Sequence, residues 1–414
     1  MDHFFYRDHQ AFCEEVSLSE IAQTLGTPAY VYSSATLARH CTQFKEAFES
    51  HPTSFCYAIK ANSNVSLLKQ IFSAGFGADI VSLGELERAL LAGVKTDNLV
   101  FSGVGKTEAE ITRALEVGIL SFNVESFFEI ENIAKIAKQL HKKAPISLRV
   151  NPDIDARTHP KISTGMHSSK FGIALEHLDS FLKFIKENKD CLELVGLACH
   201  IGSQLTDLGP LDEAAKDMVQ LVEDVRSKGF AIRYLNMGGG LGIRYTEEST
   251  PSIAEYASTL LKHIRKIKIH LIVEPGRVLV GNCGVLLTKV IGVKESPEKK
   301  FIITDAAMND LIRPTLYGSH HEFRTVKSDP NAQIQNYDVV GPICETGDFL
   351  GLNQHLPPMK SGDLLYIRTC GAYGFSMSSN YNSRTRAVEV LVEGNSCRVI
   401  RKREELNDLW SKEL

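Results

Sequence analysis

The chain has 414 residues, 43% of them hydrophobic and 23% charged, with a formal net charge of −4. That length suggests about two or three domains with ample chain to bury a core, and the charge balance leaves no polycationic footprint for nucleic acid. No apolar run reaches the roughly 18 residues of a membrane span. The opening residues, Met1 to Asp8, lack the basic flank and apolar stretch of a signal peptide, and nine cysteines without a C-x-x-C pair fit reduced thiols in a cytoplasm, not disulfides or a metal site.

Tyr30, Val31 and Tyr32 form a first short β-prone run, expected to join the C-terminal part of the protein. From Phe55 onward apolar runs recur at 55–60, 78–82, 99–103, 120–125, 146–151, 195–202, 232–240 and 271–276. Between them lie helical patterns at 66–76, 85–91, 108–117, 127–141, 214–227 and 253–268, with capping boxes at Ser82/Glu85 and Thr107/Glu110. Eight strands alternating with helices predict an α/β fold with a TIM-like (β/α)8 barrel, a doubly wound open sheet being the alternative. Past Gly281 the pattern changes to runs at 284–293, 300–304, 363–369 and 386–392 with few helical periods, a mainly β C-terminal domain. The expected division is a barrel over 34–280 and a β domain over 281–414, joined by 1–33.

A barrel gathers its chemistry at the C-terminal ends of the strands. The first run ends in Lys60, the sixth in His200 to Gln204, the seventh in Gly238-Gly239-Gly240-Leu241-Gly242, and the eighth in Glu274-Pro275-Gly276-Arg277. Singly, each has a structural explanation: a solubilising lysine, a satisfied histidine, a tight turn, a local ion pair. Their shared placement favours function. A sheltered lysine can attack a carbonyl to form a Schiff base, and clustered glycine amides suit a phosphate. Ile243 stands where a G-x-G-x-x-G run needs its last glycine, so a dinucleotide fingerprint is not supported. Lysine for an aldehyde, glycines for a phosphate and an acid for a ring nitrogen together describe pyridoxal 5'-phosphate, with His200 stacked on the ring.

These four segments, with Tyr57 to Asn62 around the lysine, resemble the fold type III pyridoxal-phosphate-dependent decarboxylases. Arg313-Pro314 with Tyr317, Cys344-Glu345-Thr346-Gly347-Asp348, Gly371-Ala372-Tyr373-Gly374 and the segment from Asp305 to Asp310 resemble the diaminopimelate decarboxylase branch, although Thr346 stands where serine is frequent. The resemblance implies that Lys60 carries the cofactor, while Ser203, Gly238, Gly239, Gly240, Gly276, Arg277 and Tyr373 help bind it and Glu274 faces the ring nitrogen. It implies that Arg277, Arg313, Tyr317, Glu345 and Tyr373 bind substrate and that Cys344 is the acid, with Lys60 and His200 also catalytic. No metal is expected. It further implies a homodimer whose Cys344 segment reaches the partner's site. Arg149 and Lys170 are left undecided between function and structure, and His320 and His321 read as surface. A decarboxylase for another diamino acid shares most of these motifs. An alanine-type racemase has the fold but faces the ring nitrogen with arginine. A non-catalytic cofactor carrier would not need the β domain, and a pseudo-decarboxylase acting by protein–protein contact would have lost Lys60 or Cys344, both of which are present.

Overall fold

The computed structural model describes residues 3–152, 154, 155 and 170–413. The chain forms two compact units, one of Cys41–Ile243 with Ser249–Gly276, the other of Met1–His40, Arg244–Glu248 and Arg277–Leu414.

The first unit is a closed barrel of eight parallel strands: β1 (Thr53–Ala58), β2 (Gly77–Ile80), β3 (Leu99–Phe101), β4 (Ser121–Val124), β5 (Ala144–Asn151), β6 (Leu192–Ala198), β7 (Tyr234–Asn236) and β8 (His270–Val273). Closure is explicit, because Leu271 to Val273 of β8 pair in register with Thr53 to Phe55 of β1. Helices α1 (Val65–Ser73), α2 (Leu83–Leu91), α3 (Glu108–Val117), α4 (Phe127–Gln139), α5 (Leu178–Glu187), α6 (Gly209–Ser227) and α7 (Ile253–Ile264) each connect two successive strands. Each is amphipathic; α5, for instance, buries Leu178, Phe181, Leu182 and Ile185, one stripe of a 3.6-residue period. This helix is not among those expected from the sequence, although these four residues follow the i, i+3, i+4, i+7 spacing of a buried helix face.

The helix starts show why propensity and pattern agree here. Thr107 and Glu110 close a reciprocal capping box, with Glu110 Oε2 accepting from the Thr107 N–H at 2.8 Å, and Ser252 with Glu255 forms another. At α2 the box is open: Ser82 accepts from the Glu85 N–H, but the Glu85 carboxylate reaches back to the Val81 N–H instead. Thr107→Ala should therefore lower stability by about 1 kcal/mol, read as a shift of the denaturant midpoint at unchanged slope.

The second unit is mainly β. Its sheet runs in the order Phe349–Leu356, Gln335–Val340, Lys300–Thr304, Gly284–Glu295, Ala29–Ser33, Val388–Glu393 and Ser396–Arg401. Ala29–Ser33 pairs antiparallel with Gly284–Glu295 and parallel with Val388–Glu393, which carries Tyr30 to Tyr32 into this sheet. Ala29, Val31, Val285, Leu287, Val388, Val390 and Val392 share one core with Phe4, Leu18 and Ile21 from the N-terminal segment. All nine cysteines are free thiols, and only Cys344 and Cys397 are exposed. Among the described residues no helix is long and apolar enough to cross a membrane.

Candidate active site

The barrel strands stop where the polar chemistry begins. β1 ends at Ala58, and Lys60 lies just beyond in a single 3-10 turn, Ile59–Ala61. Its Nζ reaches Asp79 Oδ2 of β2 at 3.4 Å, with the lysine side chain 43% exposed and the aspartate fully buried. The lysine is thus open to solvent, and the shelter expected of it is not supplied by burial within the chain. The pairing with a carboxylate fixes its direction instead.

His200 follows β6. Its Nδ1 accepts from the Gly239 N–H at 3.3 Å, which puts the ring proton on Nε2. Burial, reinforced by the charges of Arg149 and Lys60, holds its pKa well below the usual histidine range, so the ring is neutral. The glycine run after β7 exists because strand ends converge on it. A Cβ at Gly239 would stand 2.1 Å from the Glu274 carbonyl oxygen, and one at Gly240, where φ is +108°, would stand 2.2 Å from the Gly202 carbonyl oxygen. The Gly238 N–H donates to Asn236 Oδ1 at 2.8 Å and the Gly239 N–H to His200. Two of the three amides expected to face an anion are therefore engaged inside the protein. The third, Gly240, packs on the Gly202 to Leu205 segment that carries Ser203.

Glu274 follows β8. Asn236 donates to its Oε1 at 2.6 Å and Asn123 to the same oxygen at 3.4 Å. Burial foremost, and the nearby Asp79 next, push its carboxyl up to about 7, against the pull of Lys60 and Asn236. A protonated nitrogen facing this carboxylate would reverse that shift. At Gly276 a Cβ would lie 3.1 Å from that of Ala58 and 3.4 Å from that of Ala61, so the end of β8 packs tightly on the Lys60 turn.

The remaining predicted residues belong to the β unit. Arg277 opens the short helix Arg277–Val280, its Nη1 donates to Tyr245 Oη at 2.5 Å, and its guanidinium lies 4.9 Å from the Tyr373 ring centroid. Arg313 lies 5.0 Å from the centroid of the Tyr245 ring and 5.8 Å from that of Tyr317. Burial lowers the Arg313 pKa, and the like charge of Arg277 adds to that effect. Two buried guanidiniums around one phenol, walled by aromatic rings, suit a planar anion such as a carboxylate. Cys344 and Glu345 lie on an exposed turn closed by Asp348, which accepts from the Ile343 and Met308 N–H groups at 2.7 Å each.

Several readings change. His321 is buried, 5.0 Å from the Tyr245 ring, and burial with the Arg313 charge lowers its pKa to about 3; His320 is exposed. The doublet looked like surface because polar neighbours gave no apolar period. Arg149 forms a buried ion pair with Glu125 at 3.1 Å, and its charge also acts on His200 and Glu274. Lys170 is exposed, 5.3 Å from the Phe171 centroid, and Ser169 before it lies outside the described residues. Asp79, Asn123 and Asn236 were not singled out. Their signal is a carboxylate or amide inside an apolar strand run, an inward position that a barrel fills with a partner. Tyr245 carries no such signal.

The model of the pyridoxal-binding domain of pyridoxal-dependent decarboxylases matches residues 34–281. The diaminopimelate decarboxylase of Vibrio cholerae is 48% identical over 415 residues, spanning 100% of this chain and 99% of that protein. The crystal structure of diaminopimelate decarboxylase from Helicobacter pylori complexed with L-lysine is 43% identical, with a TM-score of 0.92 over 95% of this chain and 98% of that one. That of the M. jannaschii diaminopimelate decarboxylase is 36% identical, with a TM-score of 0.94 over 100% and 98% of the two chains. The chain belongs to the pyridoxal-dependent decarboxylases.

Proposed function

We propose that this protein is a diaminopimelate decarboxylase that uses pyridoxal 5'-phosphate to convert meso-2,6-diaminopimelate to L-lysine and carbon dioxide. The observation that carries the reading is Glu274, a carboxylate raised by burial and held on one oxygen by Asn236 and Asn123. It fits a pyridinium N–H, as Lys60 fits an aldehyde, neutral His200 fits a ring face, and Gly240 with Ser203 fits a phosphate. Full-length similarity to diaminopimelate decarboxylases supports the substrate.

When bound, the cofactor supplies an electron sink for the pair released as the substrate carboxylate departs. The protein's residues do the rest. Lys60 would hold the cofactor through its side-chain amine, the position the substrate amine would take over. Glu274 would keep the ring nitrogen protonated, and neutral His200 would offer the ring an uncharged face. Arg277, Arg313 and Tyr317 take the distal carboxylate, Tyr373 assists at the phosphate, and Glu345 takes the distal ammonium. Gripping the far end turns remote binding energy into orientation of the bond that breaks. Cys344 Sγ delivers a proton to the carbon that has lost carbon dioxide. The exposure of Cys344 and Glu345 in the single chain supports a homodimer in which that turn serves the partner's site, and nine cysteines that are all thiols fit a reducing cytoplasm.

A panel of diaminopimelate, D-lysine, D-ornithine and carboxynorspermidine assayed for carbon dioxide release tests the substrate. Release from diaminopimelate alone is expected; release from another diamino acid with none from diaminopimelate would sink the reading.

A further inference from the structure

The segment from Ser379 to Arg384 has no role so far, and its backbone is unusual. Asn382 and Ser383 both adopt left-handed conformations, with φ of 55° and 54°. Asparagine tolerates that region better than other L-residues, whereas serine there is strained, and two in a row persist only where surroundings enforce them. The enforcement is visible at both ends. The Ser379 N–H donates to the Asn309 carbonyl at 2.9 Å, Arg384 donates to Asn309 Oδ1 at 3.1 Å and to the Asp305 carbonyl at 2.5 Å, and Asn380 donates to Glu404 at 2.6 Å.

The two side chains left in the middle reach the Cys344–Glu345 turn. Tyr381 Oη donates to Glu345 Oε2 at 2.8 Å, and Asn382 Oδ1 accepts from the Cys344 N–H at 3.1 Å. Resting on the function proposed above, we infer that Tyr381 and Asn382 are positioning residues, Tyr381 for the carboxylate that receives the distal ammonium and Asn382 for the thiol that delivers the proton. Tyr381 occupies one carboxylate oxygen and so presents Oε1 to the ammonium in a fixed direction. Asn382 pins the backbone from which Sγ projects. The strain places both groups on one short stretch, so the acid and the specificity contact keep a common register.

The test uses the loaded enzyme and two kinds of readout. Tyr381→Phe should raise KM for diaminopimelate about fivefold or more while kcat stays within about twofold, the pattern of a lost binding contact. Asn382→Ala should lower kcat about tenfold at similar KM and change the iodoacetamide alkylation rate of Cys344, read by peptide mass spectrometry, by about threefold or more. Asn382→Asp, which keeps the acceptor, should restore most of both. Asn382→Gly relaxes the backbone but lacks the acceptor, so it should behave as Asn382→Ala does; wild-type kcat and alkylation in the glycine variant would overturn the role of Asn382. An unchanged KM in Tyr381→Phe alongside a raised KM in Glu345→Ala would overturn the role of Tyr381 and leave the proposed function standing. If the wild-type protein released no carbon dioxide from diaminopimelate, that function would fall, yet unchanged Cys344 alkylation in Asn382→Ala would still overturn the brace.

Discussion

Lys60→Ala is expected to lower kcat for decarboxylation at least about a thousandfold, because it removes the amine proposed to hold the cofactor and release it to substrate. The purified variant should also lose the yellow colour expected of the wild type. Lys60→Arg separates chemistry from charge. It keeps a cation beside the buried Asp79, which the Lys60 ammonium approaches to 3.4 Å, but a guanidinium is not a nucleophile at neutral pH. Arginine should therefore be as inactive as alanine, and turnover in either variant would exclude the mechanism. The same variant tests the shared site. Mixed with Cys344→Ala, it should regain up to about a quarter of wild-type activity, since about half of randomly mixed dimers are hybrids and each hybrid has one intact site. No recovery at all would show that each chain completes its own site.

What could be read in the sequence follows from the range of the interactions involved. Strand and helix periods are local, so the eight barrel runs are legible, as are the ends where Lys60, His200 and Glu274 fall. The glycine run is legible as a place of close approach, but not what approaches: the contacts of Gly239 with Glu274 and of Gly240 with Gly202 join segments 35 and 38 residues apart. The partners of Glu274 illustrate the limit. Asn236 is 38 residues away and Asn123 is 151, and no spacing rule links an amide to a carboxylate across a barrel. The mistaken surface reading of His321 has the same origin, because its burial is set by Tyr245 and Arg313 and not by its neighbours in the chain. Tyr381 and Asn382 needed the backbone dihedrals themselves.

Glu274→Gln is expected to lower kcat about a hundredfold or more while raising the stability of the cofactor-free protein. The two effects have one cause. The glutamine is nearly isosteric and can still accept from Asn236 and Asn123 through its carbonyl oxygen, so the site keeps its shape. It cannot, however, keep a ring nitrogen protonated. Without cofactor the carboxylate is a liability: its pKa is raised from an ordinary 4.5 to about 7. Between those values the folded chain binds more protons than the unfolded one, so stability falls as pH rises through that interval, and the loss is complete above it. Removing the acid should therefore raise the Tm of the cofactor-free protein by a few degrees near pH 8 and change it little near pH 4, where the wild-type carboxyl is already protonated. Loading with pyridoxal phosphate should reverse the order, because a carboxylate facing a protonated nitrogen is stabilised and an amide is not. An unaltered kcat would remove Glu274 from the ring nitrogen, and a Tm gain as large at pH 4 as at pH 8 would show that packing, not charge, is what the substitution changed.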